Sequence, residues 1–152
     1  MKENHYPRLG VMAALSFLAM YLLMYAMVNS IDDVYMNVNQ VYMAGLMTAP
    51  MVVIELLVMR AMYHSRKANA SIAIGSIVVA LALFVFIRQQ TAVSDRQFLR
   101  SMIPHHSGAI LMCEGASIRH SRILELCKAI ISSQQAEIDL MRDLLRELNE
   151  GG

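Results

Sequence analysis

The pattern of apolar and polar positions divides the chain near Arg88. Before that residue three long apolar runs follow one another; after it, apolar residues recur at helical spacing among charges. Leu9–Val28 contains no charged residue and would measure about 30 Å as a helix, the thickness of a bilayer core. Val41–Met59 carries a single acid, Glu55, and Ile72–Ile87 is shorter but extends readily through Ala70 and Ser71. A helix in a soluble bundle keeps a polar stripe, and the first and third runs have none. All three therefore read as membrane spans. The first is expected to be retained, because its apolar stretch is too long for a signal peptide and "YAMVNS" is a poor cleavage site.

Past Arg88 the periodicity changes. Ser94 opens "SDRQ", a capping-box start for a helix. One stripe of that helix reads Phe98, Met102, His105, Ala109, Met112, Ala116, and its neighbour reads Leu99, Ile103, His106, Ile110, Cys113. Pro104 lies inside the pattern and predicts a kink. A second helix carries Leu124, Cys127, Ile131, Gln134, Ile138, Met141, Leu145 and Leu148 in alternating steps of three and four, a packing seam. The break is placed near Arg119–Arg122, and "NEGG" reads as a frayed end.

The expected fold is thus an all-α membrane protein: a three-span domain over residues 1–90 and an antiparallel helical hairpin over residues 91–152. Two helices alone bury little surface, so the hairpin is expected to pair with another copy as a four-helix bundle. A turn centred near residues 120–121 sets His106 opposite Gln135, Met102 near Ile138–Met141, and Cys113 close to Cys127.

Charge adds orientation. Lys2 and Arg8 precede the first span, the loop 29–40 has no cation, and the loop 60–71 has Arg60, Arg66 and Lys67. Cations mark cytoplasmic loops, which puts the N-terminus inside and the hairpin outside, against the weaker opposing signal of Arg88, Arg96 and Arg100. Asp32 and Asp33 read as a solvated loop, and His5 and His64 are single histidines among polar residues. Glu55, near a span end, can snorkel or pair with a neighbour. Outside the cytoplasm Cys113 and Cys127 would tend to oxidise if they meet; the alternative is two small buried hydrophobes. The chain is 57% hydrophobic and 16% charged with a net charge of +1, which offers no argument for nucleic-acid binding.

The candidate chemistry is concentrated in "MIPHHSGAILM", which holds Met102, His105, His106 and Met112, and in "QQAEIDLM", which holds Glu137 and Met141. Thioether and imidazole together suit copper, as Cu(I) on sulfur or Cu(II) on imidazole and carboxylate, and silver by the same softness. The competing reading is that methionines at helical spacing fill a core. No nucleophile, base and orienting group converge, so an enzyme is not expected.

"FLRSMIPHHSGAILMCEGA" followed by "ELCKAIISSQQAEIDLMRDLL" resembles the bacterial family called domain of unknown function 305, over roughly residues 94–148 and outside the spans. The resemblance implies a ferritin-like helical bundle that binds copper or silver outside the cytoplasm. It implicates Met102, His105, His106, Met112, Glu137 and Met141; together with the spans and the loop charges, the expected location is a bacterial inner membrane with a periplasmic or extracellular hairpin. Within the spans, Met20, Met24 and Met27 lie on one face of the first, and Met43, Met47 and Met51 repeat on the second, which Pro50 would bend. Their functional reading is a thioether path for Cu(I); the plainer one is apolar packing. The expectation is therefore a membrane-tethered metal-binding protein, with a copper transporter or a metal-free oligomerisation module as alternatives.

Overall fold

The computed structural model describes residues 5–150. Lys2 and the closing Gly151 and Gly152, used above for orientation and for the frayed end, lie outside the described residues. Among the described residues all regular structure is helical: α1 (Tyr6–Leu23), α2 (Val38–Val58), α3 (Arg66–Gln89), α4 (Asp95–Gly115) and α5 (Ser121–Glu150). Short 3-10 turns at Met24–Met27 and Ile31–Asp33 lie between α1 and α2. The chain forms two compact units. One comprises residues 1–24 and 39–91, the other residues 25–38 and 92–152.

Three helices are each long and apolar enough to cross a membrane: α1 with the 3-10 turn that follows it, α2 and α3. Their packing is sparse. α3 has no buried residue, and Ile74, Ile77, Val78, Leu81 and Phe84 on it are all at least half exposed. Where helices do meet, small residues permit it: a Cβ on Gly45 of α2 would lie 2.7 Å from Leu83 Cδ1 of α3. At one end Leu9, Leu56 and Tyr63 form a buried cluster with Tyr6, Val52 and Ile72 packed around it. The Tyr63 hydroxyl donates to Glu55 at 3.4 Å, so the acid in the second span pairs with a neighbour. Burial first, and then the Glu55 charge, push the Tyr63 phenol above its usual 10.0. α3 stops because Gln90 turns left-handed (φ 51°) and Thr91 N–H donates back to the Phe86 carbonyl, a glycine-type cap built without glycine.

The α-helix of the first span ends at Leu23, and Met24–Met27 wind more tightly as a 3-10 turn. In a 3-10 turn residues three apart eclipse, so Met27 follows Met24 on one face, but Met27 falls in the second unit and is 56% exposed.

The second unit is built on the α4–α5 hairpin. Ser94 caps α4, its hydroxyl accepting from Gln97 N–H, while the Gln97 side-chain Oε1 accepts from Val38 N–H at 3.0 Å, so that the side chain does not close the box. α4 runs through Pro104, which is buried, to Gly115. Of the two stripes on α4 the second is the packed one: Leu99, Ile103 and Ile110 join Ile138, Met141 and Leu145 of α5 in one core, with Tyr35, Met102 and Ile131 against it. Phe98 and Met112 of the first stripe are at least half exposed. Cys113 and Cys127 form a disulfide across the turn end, with Cα atoms 5.3 Å apart.

The loop between α1 and α2 corrects one expectation. It is not a solvated connection, because residues 25–38 are part of the hairpin unit. Asp32 is exposed, but Asp33 is 5% exposed. It accepts from Ser107 Oγ at 2.6 Å on one carboxylate oxygen and from Arg142 Nη2 at 2.6 Å on the other. Ser107 Oγ in turn accepts from Asn29 N–H at 2.9 Å. Only small residues let the loop approach this closely: Ser107 is fully buried, and a Cβ on Gly108 would sit 3.1 Å from the Met27 carbonyl oxygen.

Candidate metal centre

The centre is set by helical phase. α5 turns Cys127, Ile131, Ile138, Met141 and Leu145 toward α4, and Glu137 stands beside Ile138 at the flank of that seam. On α4, His106 stands beside Ser107 at the matching flank. The two side chains meet there, His106 Nε2 lying 2.7 Å from Glu137 Oε2. The partner expected for His106, Gln135, lies off the seam and donates instead to Asp139 on its own helix at 3.0 Å. A facing rule counted from the turn ignores the 100° step of each residue, which is why it fell two residues short.

The second ring nitrogen fixes the first. His106 Nδ1 is 2.9 Å from the Met102 carbonyl, the group one turn back on α4. A carbonyl only accepts, so Nδ1 carries the proton and donates. Nε2 then faces the carboxylate. Such a tautomer, pinned from behind by a carbonyl, is the arrangement found in metal-binding histidines. At 2.7 Å the two groups are in direct hydrogen-bond contact, so an ion held by both would have to part them. The His106 side chain is 11% exposed and that of Glu137 53%, so the pair is supported on one side and open on the other.

The other implicated residues are distributed differently. The His105 ring is exposed, edge-on to His106 at 6.4 Å between centroids, and among the described residues no hydrogen bond engages it. Met102 packs against the hairpin core and Met141 is within it, 8% exposed. Met112 is 55% exposed. Among the described residues no group of three or more His, Cys, Asp or Glu comes together as a metal cluster. In the first unit, Met20 Sδ accepts from Thr48 Oγ1 at 3.8 Å, whereas Met43 and Met47 face outward, 39% and 45% exposed.

The residues that sequence reasoning missed are Asp33, Ser107 and Arg142. Their signal was weak but present, in the small pair Ser107–Gly108 directly after the histidines and in an arginine beside the packing seam.

No solved structure matches the chain. The uncharacterized protein L153 of Acanthamoeba polyphaga mimivirus is 37% identical over 140 residues, covering 90% of this chain and 90% of that protein. Similarity to it therefore runs through the apolar helices as well as the hairpin. The model of the family described as "Domain of unknown function (DUF305)" matches residues 57–145, beginning in α2 and taking in α3, which the motif resemblance had left out. With more than half its length matched, the chain belongs to the DUF305 family.

Proposed function

We propose that this chain is a membrane-tethered copper-binding protein that acts by holding the ion rather than by catalysis. The observation that carries the reading is the His106–Glu137 pair, one imidazole nitrogen pinned by a carbonyl and the other aimed at a carboxylate. Imidazole and carboxylate suit Cu(II), and the buried or scattered thioethers give Cu(I) and silver less to hold. Two donors from one hairpin are short of the usual four. A second copy of the chain, contributing the same pair or its unengaged His105, completes the set, so the protein works as a homo-oligomer. Its seat is the cell membrane, in a bacterium the inner membrane. The N-terminus is cytoplasmic and the hairpin periplasmic or extracellular, where a disulfide persists. Lipid supports the reading as a solvent, because an apolar helix such as α3 with no buried residue is stable only in an apolar surrounding.

The test is a Cu(II) titration of the full chain in detergent, followed by electron paramagnetic resonance. Saturable binding with nitrogen coupling is expected, lost in His106→Ala and weakened in Glu137→Gln. Absence of binding by the wild type for both Cu(II) and Ag(I) removes the proposal. Ag(I) binding that ignores His106 but needs Met102 and Met112 would move the site to the thioethers. A transport role along Met20, Met24, Met27, Met43, Met47 and Met51 draws less support, since two of these face outward and Met27 sits in the other unit. Under that role, leucine at Met43, Met47 and Met51 abolishes copper flux into vesicles.

A further inference from the structure

A second polar feature of the hairpin unit shares no residue with the metal pair. A cavity of about 240 Å³ is lined by Tyr35, Arg100, Arg142, Leu145, Arg146 and Asn149. Three guanidinium groups at one cavity would repel one another, and the fold addresses this only in part. Arg142 gives one arm to Asp33 at 2.6 Å and lies 3.8 Å from Asp139, and Arg146 gives one arm to Asp143. Each guanidinium has five N–H donors, so most of those on Arg142 and Arg146 stay available. Arg100 is half-buried, and among the described residues no hydrogen bond or ion pair engages it. The same holds for the Tyr35 hydroxyl and the Asn149 side chain.

These donors are held in place by the rest of the unit. The Tyr35 carbonyl accepts from the Tyr25 hydroxyl at 2.8 Å and from the Asn37 amide at 3.0 Å, and its side chain packs against the hairpin core. The Arg142 fork is fixed by the buried Asp33, and Leu145 forms an apolar wall. Prefixed donors and one uncompensated cation, with no acceptor of their own, make a site for an anion. A phosphoryl group fits better than a carboxylate, because it offers several oxygen edges to several planar forks at once.

We infer that the hairpin unit carries an oxyanion site formed by Arg100, Arg142, Arg146 and the Tyr35 hydroxyl, which takes a phosphate-type group. The group is either free phosphate or the headgroup of an anionic phospholipid. Headgroups are a natural source, as Tyr35 precedes the first residue of α2 by three positions.

The full chain in neutral detergent, with a chelator present, is titrated with inorganic phosphate at fixed ionic strength and followed by phosphorus NMR. In parallel, nanodiscs of pure phosphatidylcholine and of phosphatidylcholine with phosphatidylglycerol are compared for lipid retained by the protein. Saturable phosphate binding identifies a free anion, and selective retention of phosphatidylglycerol identifies a headgroup. In either arm Arg100→Gln weakens binding about tenfold or more, and Tyr35→Phe a few-fold, as expected for losing a charged and a neutral donor. Arg100→Lys restores part of the loss. If the wild type binds neither probe saturably, or Arg100→Gln binds as well as wild type, the site does not exist. Because Arg100 lies outside the hairpin core and chelator is present throughout, neither misfolding nor a failed metal site can produce that result.

Discussion

The two units solve the problem of apolar surface in opposite ways. In the hairpin unit the large aliphatic residues point inward, and the polar groups that follow them are paired: Asp33 with Ser107 and Arg142, His106 with Glu137 and Met102. In the helical unit of residues 1–24 and 39–91 they point outward, and α3 buries nothing. One unit encloses its apolar surface, and the other leaves it outside, on helices long and apolar enough to cross a membrane. Exposure therefore has no fixed meaning along this chain; its consequence depends on which solvent a residue is exposed to.

Two leucines of nearly equal exposure put that difference to its hardest test. Leu81 on α3 is 62% exposed and Leu140 on α5 is 59% exposed. Arginine at Leu81 places a charge in the middle of a span and is expected to cost about 3 kcal/mol of insertion free energy. The measurement is the glycosylated or protease-protected fraction in a microsome insertion assay. Glutamate at Leu140 is expected to shift the hairpin's stability by no more than about 0.5 kcal/mol. Equal effects at the two positions would erase the distinction between the units.

The next largest effect should be confined to the hairpin. The Cys113–Cys127 bond joins residues separated by 14 positions, and closing a loop of that size is worth about 3 kcal/mol, chiefly through the unfolded chain. Serine at both positions should lower hydrogen-exchange protection through α4 and α5 while leaving α2 and α3 unchanged. Loss of protection in all five helices would mean that the units do not unfold separately.

Below this comes the buried carboxylate. Alanine at Asp33 leaves the fully buried Ser107 hydroxyl without its acceptor, while Arg142, whose side chain is 30% exposed, recovers some solvation. About 2 kcal/mol of hairpin stability should be lost in chemical denaturation. Alanine at the exposed Asp32 next to it should be nearly silent. The pair of substitutions decides whether the loop is part of the hairpin's fold or merely rests on it.

That loop also marks where the sequence stops being readable. Periodicity is a property of single helices, and it carried the three apolar helices, the capping of α4 by Ser94 and the inward stripe of Leu99, Ile103 and Ile110. The seam on α5 likewise announced Cys127, Ile138, Met141 and Leu145, though Leu124 and Leu148 at its ends are 42% and 38% exposed. The Asp33–Arg142 pair spans 109 positions and belongs to a segment with no period, so no local pattern could announce it. Asp32 and Asp33 look identical in sequence, and only the Ser107–Gly108 gap on α4 tells them apart. The His106–Glu137 contact lies between these cases: both residues stood out in the sequence, and helical phase, which the turn count ignored, set Glu137 rather than Gln135 against His106.

The smallest prediction tests that gap directly, because two effects of similar size oppose each other there. Alanine at Gly108 should favour α4 by about 1 kcal/mol on helix propensity alone. Its Cβ, however, would stand 3.1 Å from the Met27 carbonyl oxygen, a backbone atom that cannot swing aside as a side chain would. Overpacking against such a neighbour costs about 1–3 kcal/mol. The net change in stability should therefore be a small loss, below about 2 kcal/mol. Its signature would be local: the Asn29 amide, held by Ser107 at 2.9 Å, should exchange faster while amides in the centre of α5 do not. A net gain in stability with Asn29 still protected would show that the loop yields to the methyl group. The close approach at Gly108 would then be a convenience of packing, not a requirement for docking the loop.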